Sequence, residues 1–292
     1  MERTQRRDRS ALVAMLAPSV IFLFLITAVP LGYVLYSSFS NWVLTKSPYP
    51  RLSGFGNYVK MFADPYFYNS LKVTAIFTVG SLILEIVLGT LIALLLFRKF
   101  RGRGILRSFI LIPMMITPAV IGLIWRIMLN SDFGIISYIL TSFGVDAPSW
   151  LADTATALPC LIAVDVWEWT PFVALSVLAA LQTRSQDQIE SALIDGAGPL
   201  KVFRYITFPH IQPILFIASS FRMGALLRWF DTIYVMTAGG PGRSTQNLPM
   251  YIYQTGFYYL NMGYSATIAV FLLALTIAVT YLFVRQSKIT EA

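Results

Sequence analysis

The chain has 292 residues, of which 57% are hydrophobic and only 12% charged, with 22 basic residues against 14 acidic ones and a net charge of +8. A soluble domain of this length carries about a quarter charged residues, so the composition excludes an ordinary soluble enzyme and points to a surface that faces lipid. One cysteine, Cys160, excludes an intramolecular disulfide framework, and one histidine, His210, excludes paired-histidine zinc motifs.

Six windows are long enough to cross a hydrocarbon core, which takes roughly 20 helical residues. They run Ala11 to Tyr36, Leu71 to Phe97, Ile105 to Leu129, Ala155 to Leu181, Ile211 to Met236 and Tyr264 to Val284. The first follows Arg3, Arg6, Arg7 and Arg9, as a secretory leader does, yet its apolar run is too long for one and no small-residue cleavage site follows. The expectation is a retained helix and an all-α, six-span transmembrane bundle.

Lysine and arginine near span ends stay on the cytoplasmic side. An inside N-terminus places fourteen basic residues on the inner segments and five on the outer ones, which predicts that both termini are cytoplasmic. The expected layout is a cytoplasmic segment over 1–10, a membrane domain over 11–284 and a cytoplasmic tail over 285–292. The basic residues lie in short clusters between apolar runs, so the charge reflects topology and no nucleic-acid partner is expected. The outer connections 37–70 and 130–154 are rich in aromatic residues, proline and glycine, and suit either a docking partner or an interfacial belt.

Within the second window, Glu85 lies near mid-membrane, as do Glu168 and Arg222 in the fourth and fifth; Asp165, Arg228 and Asp231 lie nearer the outer side. Intramembrane charges cost roughly 2.5–3.5 kcal/mol each on insertion scales and therefore face a partner or a water-filled cavity. Arg228 and Asp231, three apart, are expected to form an ion pair, and Arg126 to snorkel from its span end. In the fourth window Asp165, Trp169 and Phe172 share a face, an acceptor beside two aromatic planes of the kind that binds sugars. Pro171 frees a backbone carbonyl nearby. In the fifth, Arg222 and Trp229 share a face at i, i+7; an Arg222 left unpaired by Glu85 or Glu168 makes an anionic solute attractive.

Between the fourth and fifth windows, residues 182–210 read as two short helices. Ser185 and Gln188 have capping-box spacing, Gln186 to Ile194 is helical, Asp195, Gly196 and Gly198 stop it, and Pro199 sits at a helix start. The second helix, Leu200 to Thr207, carries Leu200, Phe203 and Ile206 on one stripe, with Pro209 as its stop. Such a face calls for a protein groove.

Glu190, Ser191, Ala192, then three residues to Gly196, then nine to Ile206-Thr207-Phe208-Pro209, resembles the Glu-Ala-Ala loop of binding-protein-dependent ABC importer permeases, with Ser191 and Phe208 as mild departures. Phe230 to Pro241, ending Ala238-Gly239-Gly240-Pro241, is similar to a segment of the carbohydrate-uptake branch, the maltose-type and glycerol-phosphate-type permeases, and Ala17-Pro18-Ser19 and Phe55-Gly56-Asn57-Tyr58 fit the same branch. The resemblance implies a type I permease fold in the cytoplasmic (inner) membrane. It implies that Glu190, Ser191, Ala192, Asp195, Gly196, Ala197, Ile206 and Pro209 contact a partner ATPase. It also implies that Asp165, Glu168, Trp169, Phe172, Arg222, Arg228 and Trp229 line the solute pathway. The implied partners are a second, similar permease, two copies of an ATPase subunit and an extracytoplasmic solute-binding protein, within a lipid bilayer. The chain itself has no Gly-Lys pair and so no phosphate-binding loop. ATP and Mg belong to the ATPase, no cofactor or metal is expected here, and the chain is not itself an enzyme. The competing expectation is an ion-coupled secondary transporter using Glu85. An intramembrane enzyme lacks a nucleophile and base.

Overall fold

A computed structural model describes residues 2–98 and 100–290. Met1, Lys99, Glu291 and Ala292 lie outside the described residues, as do the side chains of residues 2–14, Gln186 and residues 286–290. The basic residues Arg3, Arg6, Arg7, Arg9, Lys99 and Lys288 used for orientation fall there. The chain divides into two compact units, one joining the chain up to Asp64 with Ile252–Phe271, the other joining Pro65–Tyr251 with the chain from Leu272 on.

The first unit begins with α1 (Glu2–Ser38), whose described apolar stretch Met15–Ser38 is long enough to span and whose most apolar window has no buried residue. After it, β1 (Ser40–Asn41) pairs antiparallel with β2 (Arg51–Leu52), Ser40 opposite Leu52, and α2 (Gly56–Phe62) follows. Asn57 explains the Phe-Gly-Asn-Tyr patch: its amide donates to the carbonyls of Ser38 and Ser40, at 3.1 and 2.9 Å, satisfying backbone oxygens where α1 ends. Phe39, Phe55 and Tyr58 pack ring to ring around it. Tyr264 donates its hydroxyl to Asp64 at 2.6 Å.

The second unit is organised around α3 (Pro65–Phe97) and α7 (Ala157–Gln182). The two lie close because Gly89 has no side chain: a Cβ there would stand 2.7 Å from Val173 Cβ and 3.1 Å from the Ala174 backbone nitrogen. Phe77, Leu161, Val164 and Ile233 form one buried cluster, and Ala93, Val177, Leu181 and Ile211 a second. The core therefore runs along the α3 and α7 seam and takes in α10 (Phe208–Leu226).

Among the described residues four helices are long and apolar enough to cross a membrane: α1, α3, α7 and α13 (Met262–Thr290). The other two windows are interrupted. The third divides into α4 (Arg103–Leu111), a 3₁₀ turn at Pro113–Met115 and α5 (Pro118–Met128), with Ile116 and Thr117 extended. Two prolines five residues apart remove two donors and disfavour helix before each. The fifth divides after Leu226, resuming as α11 (Asp231–Met236). The two breaks meet: Thr232 Oγ1 donates to the Pro118 carbonyl at 3.3 Å and Arg126 Nη1 to the Val235 carbonyl at 3.0 Å. Arg126 is thus a cap on a neighbouring helix as well as an exposed cation. The remaining helices are α6 (Ile135–Ser142), α8 (Gln186–Ile194), α9 (Pro199–Val202) and α12 (Leu248–Tyr253).

Candidate functional site

Two places concentrate unusual chemistry, both within the second unit. The first is the turn between α8 and α9. Asp195 ends α8, and Gly196 follows with φ +76°. The Gly196 N–H donates to the Leu193 carbonyl at 3.1 Å and the Ala197 N–H to the Ala192 carbonyl at 2.9 Å. This is a Schellman stop, whose left-handed residue favours glycine. The start of α8 is plainer than its spacing predicted: Ser185 occupies the N-cap position, but its side chain makes no capping bond, so the capping box does not form. Asp187 in the first turn supplies the charge that favours a helix N-terminus.

Pro199 opens α9 as expected, but Pro209 does not stop the second helix. A π-helical stretch over Phe203–Thr207 joins α9 to α10, and Pro209 falls at the second position of α10. The widened turn accommodates the missing donor, as a first-turn proline allows. Ser191, Ala192, Asp195, Ile206 and Pro209 line a cavity of about 640 Å³ together with Tyr205 and His210. Glu190 and Gly196 are exposed outside its wall, and Ala197 is half-buried. Ile194 is 86% exposed, Leu200 78% and Tyr205 72%, whereas Phe203 and Ile206 are half-buried. The apolar surface is thus wider than the stripe read from the sequence.

Two side-chain contacts hold the ends of the loop together. His210 Nε2 lies 2.9 Å from the Ala180 carbonyl and donates to it in its Nε2-protonated tautomer. Arg184 Nη1 donates to Thr207 Oγ1 at 2.6 Å. His210 thus meets a carbonyl at the C-terminus of α7, where helix carbonyls await donors, while Arg184 bridges the two ends of the loop side chain to side chain.

The second place is a buried charge cluster. Arg222 on α10 donates from Nε to Glu85 Oε2 at 2.7 Å and from Nη2 to Glu85 Oε1 at 2.6 Å, a two-pronged bond to α3. The same Nη2 reaches Asp165 on α7 at 3.0 and 3.2 Å. Trp169 lies beneath the guanidinium, 4.6 Å from ring centre. Glu85, Asp165 and Arg222 are all at most 2% exposed. Planar guanidinium suits this geometry, and each buried charge in the cluster has a partner of opposite sign. Arg222 is therefore not left free for an anion, contrary to the condition that made an anionic solute attractive.

Trp169, Phe172 and Arg222 do come together, with Phe221 and Ala225, around a cavity of about 300 Å³. Asp165 stands behind it as a partner of Arg222 instead of an open acceptor. Glu168 is buried, and its Oε2 has no hydrogen-bond partner. Arg228 and Trp229 lie elsewhere. Because the helix ends at Leu226, the i, i+7 relation of Arg222 and Trp229 is lost: Trp229 stacks on Phe77 at 4.4 Å, and Arg228 is exposed, donating to the Gly224 carbonyl at 2.9 Å. For the same reason Arg228 and Asp231 make no ion pair with each other, whereas Arg222 is salt-bridged to Glu85 and Asp165. Phe221 and Ala225 escaped sequence reading because small and aromatic side chains mark any membrane helix.

Comparison with known proteins agrees with this architecture. The family model described as binding-protein-dependent transport system inner membrane component matches residues 85–288. A protein of Sinorhizobium fredii described as a probable ABC transporter permease is 38% identical over 99% of this chain and 95% of its own length. The sulfoquinovosyl glycerol transport system permease of Agrobacterium fabrum is 34% identical, over 95% of this chain and 90% of its own. A chain in the crystal structure of a bacterial alginate ABC transporter, bound to its periplasmic protein with an alginate pentasaccharide, matches all of this chain and 99% of its own with a TM-score of 0.85 at 21% identity.

Proposed function

Since the chain belongs to the family of binding-protein-dependent transport system inner membrane components, we propose that it is the permease subunit of an ATP-driven importer for a sugar, polyol or related carbohydrate. It lies in the cytoplasmic membrane with both termini inside. It works with a second permease, two ATPase subunits that hold ATP and Mg, and an extracytoplasmic solute-binding protein. The observation that carries this reading is the 182–210 element. A Schellman-stopped α8 and a helix continuous with α10 present Ile194, Leu200 and Tyr205 to solvent. An isolated loop gains nothing from exposed apolar side chains of that size, whereas a partner's cleft buries them. The continuity through Phe203–Thr207 into α10 gives force on the loop a direct route to Arg222.

The carbohydrate class is supported by the relatives, whose names include sulfoquinovosyl glycerol and trehalose/maltose transport. It is also supported by the aromatic cavity of Trp169, Phe172 and Phe221, since apolar sugar faces stack on rings. The Arg222 charge is met by Glu85 and Asp165, which favours an uncharged solute there over an anionic one.

The test is reconstitution of the whole complex in vesicles with its binding protein. The native complex is expected to hydrolyse ATP faster when loaded binding protein is present. Glu190→Ala with Gly196→Asp is expected to lose that stimulation or the ATPase itself on purification. A chain that purifies stably alone, or uptake that survives ATP depletion and fails when the proton gradient collapses, sinks the proposal.

A further inference from the structure

A third cavity, of about 660 Å³, lies between α3, α4 and α7. Leu84, Leu88 and Ile92 form its α3 wall at four-residue intervals, a strip about 12 Å long. Phe109, Ile110 and Pro113 supply the α4 side. The wall is almost wholly hydrocarbon and has the shape of a groove along the helices.

The helix that closes this groove changes character within two turns. Arg103, Arg107 and Ile110 follow one another at i, i+4 and i+7 on α4 and so share a stripe. Ile110 packs against the buried cluster of Ala93, Leu96 and Val177, near the Phe97 end of α3. Arg103 and Arg107 continue the stripe beyond the apolar wall at that end. Both are half-buried, neither pairs with a carboxylate among the described residues, and Arg107 Nε is buried without a hydrogen-bond partner. Arg184 stands over the Phe97 ring at 5.2 Å, its Nε likewise buried and unpartnered.

An apolar slot walled by Phe109 and Ile110, with cations that have unused donors one to two turns along the same helix, matches an amphiphile that carries an anion at one end of a hydrocarbon tail. We propose that this groove binds an anionic phospholipid, its acyl chain along Leu84, Leu88 and Phe109 and its phosphate on Arg103 and Arg107. Basic pockets between spans on the cytoplasmic side recognise lipid headgroups in this way. The inference rests on the reading of the chain as a membrane permease with the Phe97 end inside. A zwitterionic lipid such as phosphatidylcholine would fill the slot but bring a choline cation beside its phosphate, so selectivity for net negative charge is the discriminating property.

The experiment uses the purified complex in vesicles of phosphatidylcholine doped with a phosphatidylglycerol or a phosphatidylcholine that carries a photoreactive diazirine near the tail end. Labelled peptides are identified by mass spectrometry. The phosphatidylglycerol probe is expected to label 109–113 and 167–171 in preference to the phosphatidylcholine probe, and unlabelled phosphatidylglycerol to compete. Arg103→Gln with Arg107→Gln should lower that preference by about fivefold per arginine, without changing the labelling of α1 by either probe. Ala163→Phe, which fills the slot and leaves the charges alone, should suppress both probes in the groove. Equal labelling by the two lipids, a preference untouched by the arginine variant, or cross-linking of the groove to a helix of another subunit would each overturn the proposal. Co-purification of an ATPase is scored separately on the same samples, so that loss of the importer reading and loss of the lipid site remain distinct results.

Discussion

Arg222 holds three helices through one side chain, and the energetic asymmetry of buried ion pairs makes it the most sensitive position in the spans. Removing one partner leaves uncompensated charge and costs about 3–5 kcal/mol. Arg222→Met is therefore expected to lower the thermal stability of the purified complex by about that amount, whereas Arg222→Met with Glu85→Gln and Asp165→Asn should recover most of it. A triple variant no more stable than the single one would show that the cluster does not act through charge balance. At Gly196 the constraint is in the backbone. The φ of +76° disfavours any β-carbon by roughly 1–2 kcal/mol, while an added Cβ meets nothing within 4 Å. Gly196→Asn should thus retain more binding-protein-stimulated ATPase activity than Gly196→Val, the order set by left-handed tolerance and not by size. Equal losses would place the requirement in the partner's cleft.

The elements were unevenly legible. Hydropathy located the helices, because twenty apolar residues announce a span without reference to anything distant. The loop was readable for a related reason: Gly196, Pro199 and the acidic residues of α8 act within a few positions of themselves. Contacts across the fold were not. Glu85 and Arg222 are 137 residues apart, and composition offered two carboxylates near mid-membrane without choosing between them; the choice of Glu85 with Asp165 follows from how α3 and α7 pack. The third window's break had a local cause in Pro113 and Pro118, yet a window average passes over two prolines in an apolar run. The fifth window's break after Leu226 has no proline behind it, and an unbroken helix there gives the false i, i+7 match of Arg222 with Trp229. Close packing of α3 on α7 yields its own prediction. Gly89→Val should overpack the seam at Val173 and cost about 1–3 kcal/mol, measured as a lowered unfolding temperature; an unchanged temperature would mean that the helices separate freely there.

At the scale of the whole molecule, the chain is a lipid-facing framework with its ionised groups drawn to specific places. Exposed apolar side chains dominate α1 and the outer faces of α3 and α5, while the buried charges gather around one guanidinium. A transporter that worked by protonating Glu85 would need that carboxylate to exchange its partner. Its two-pronged bond to Arg222 instead favours a structural use, consistent with energy arriving through the loop. The helical path from Phe203 through α10 leads from the loop to the cluster. Glu85→Gln is expected to reduce uptake and the stability of the complex together, with no change in dependence on the proton gradient.

During synthesis, Pro118 leaves the ribosome 114 residues ahead of Thr232, the donor to its carbonyl. Until then the third span's break lacks the donor that Thr232 brings to it and the α11 surface that packs on α5, in a medium that supplies no substitute for either. Its insertion is therefore completed from behind, when the fifth span arrives and α11 docks on α5. In a Cys160→Ser background, Ile121→Cys should react with a thiol reagent in chains ended at Gln182 and become protected in the full chain, where Ile121 is wholly buried. Equal protection in both would mean that the third span matures alone.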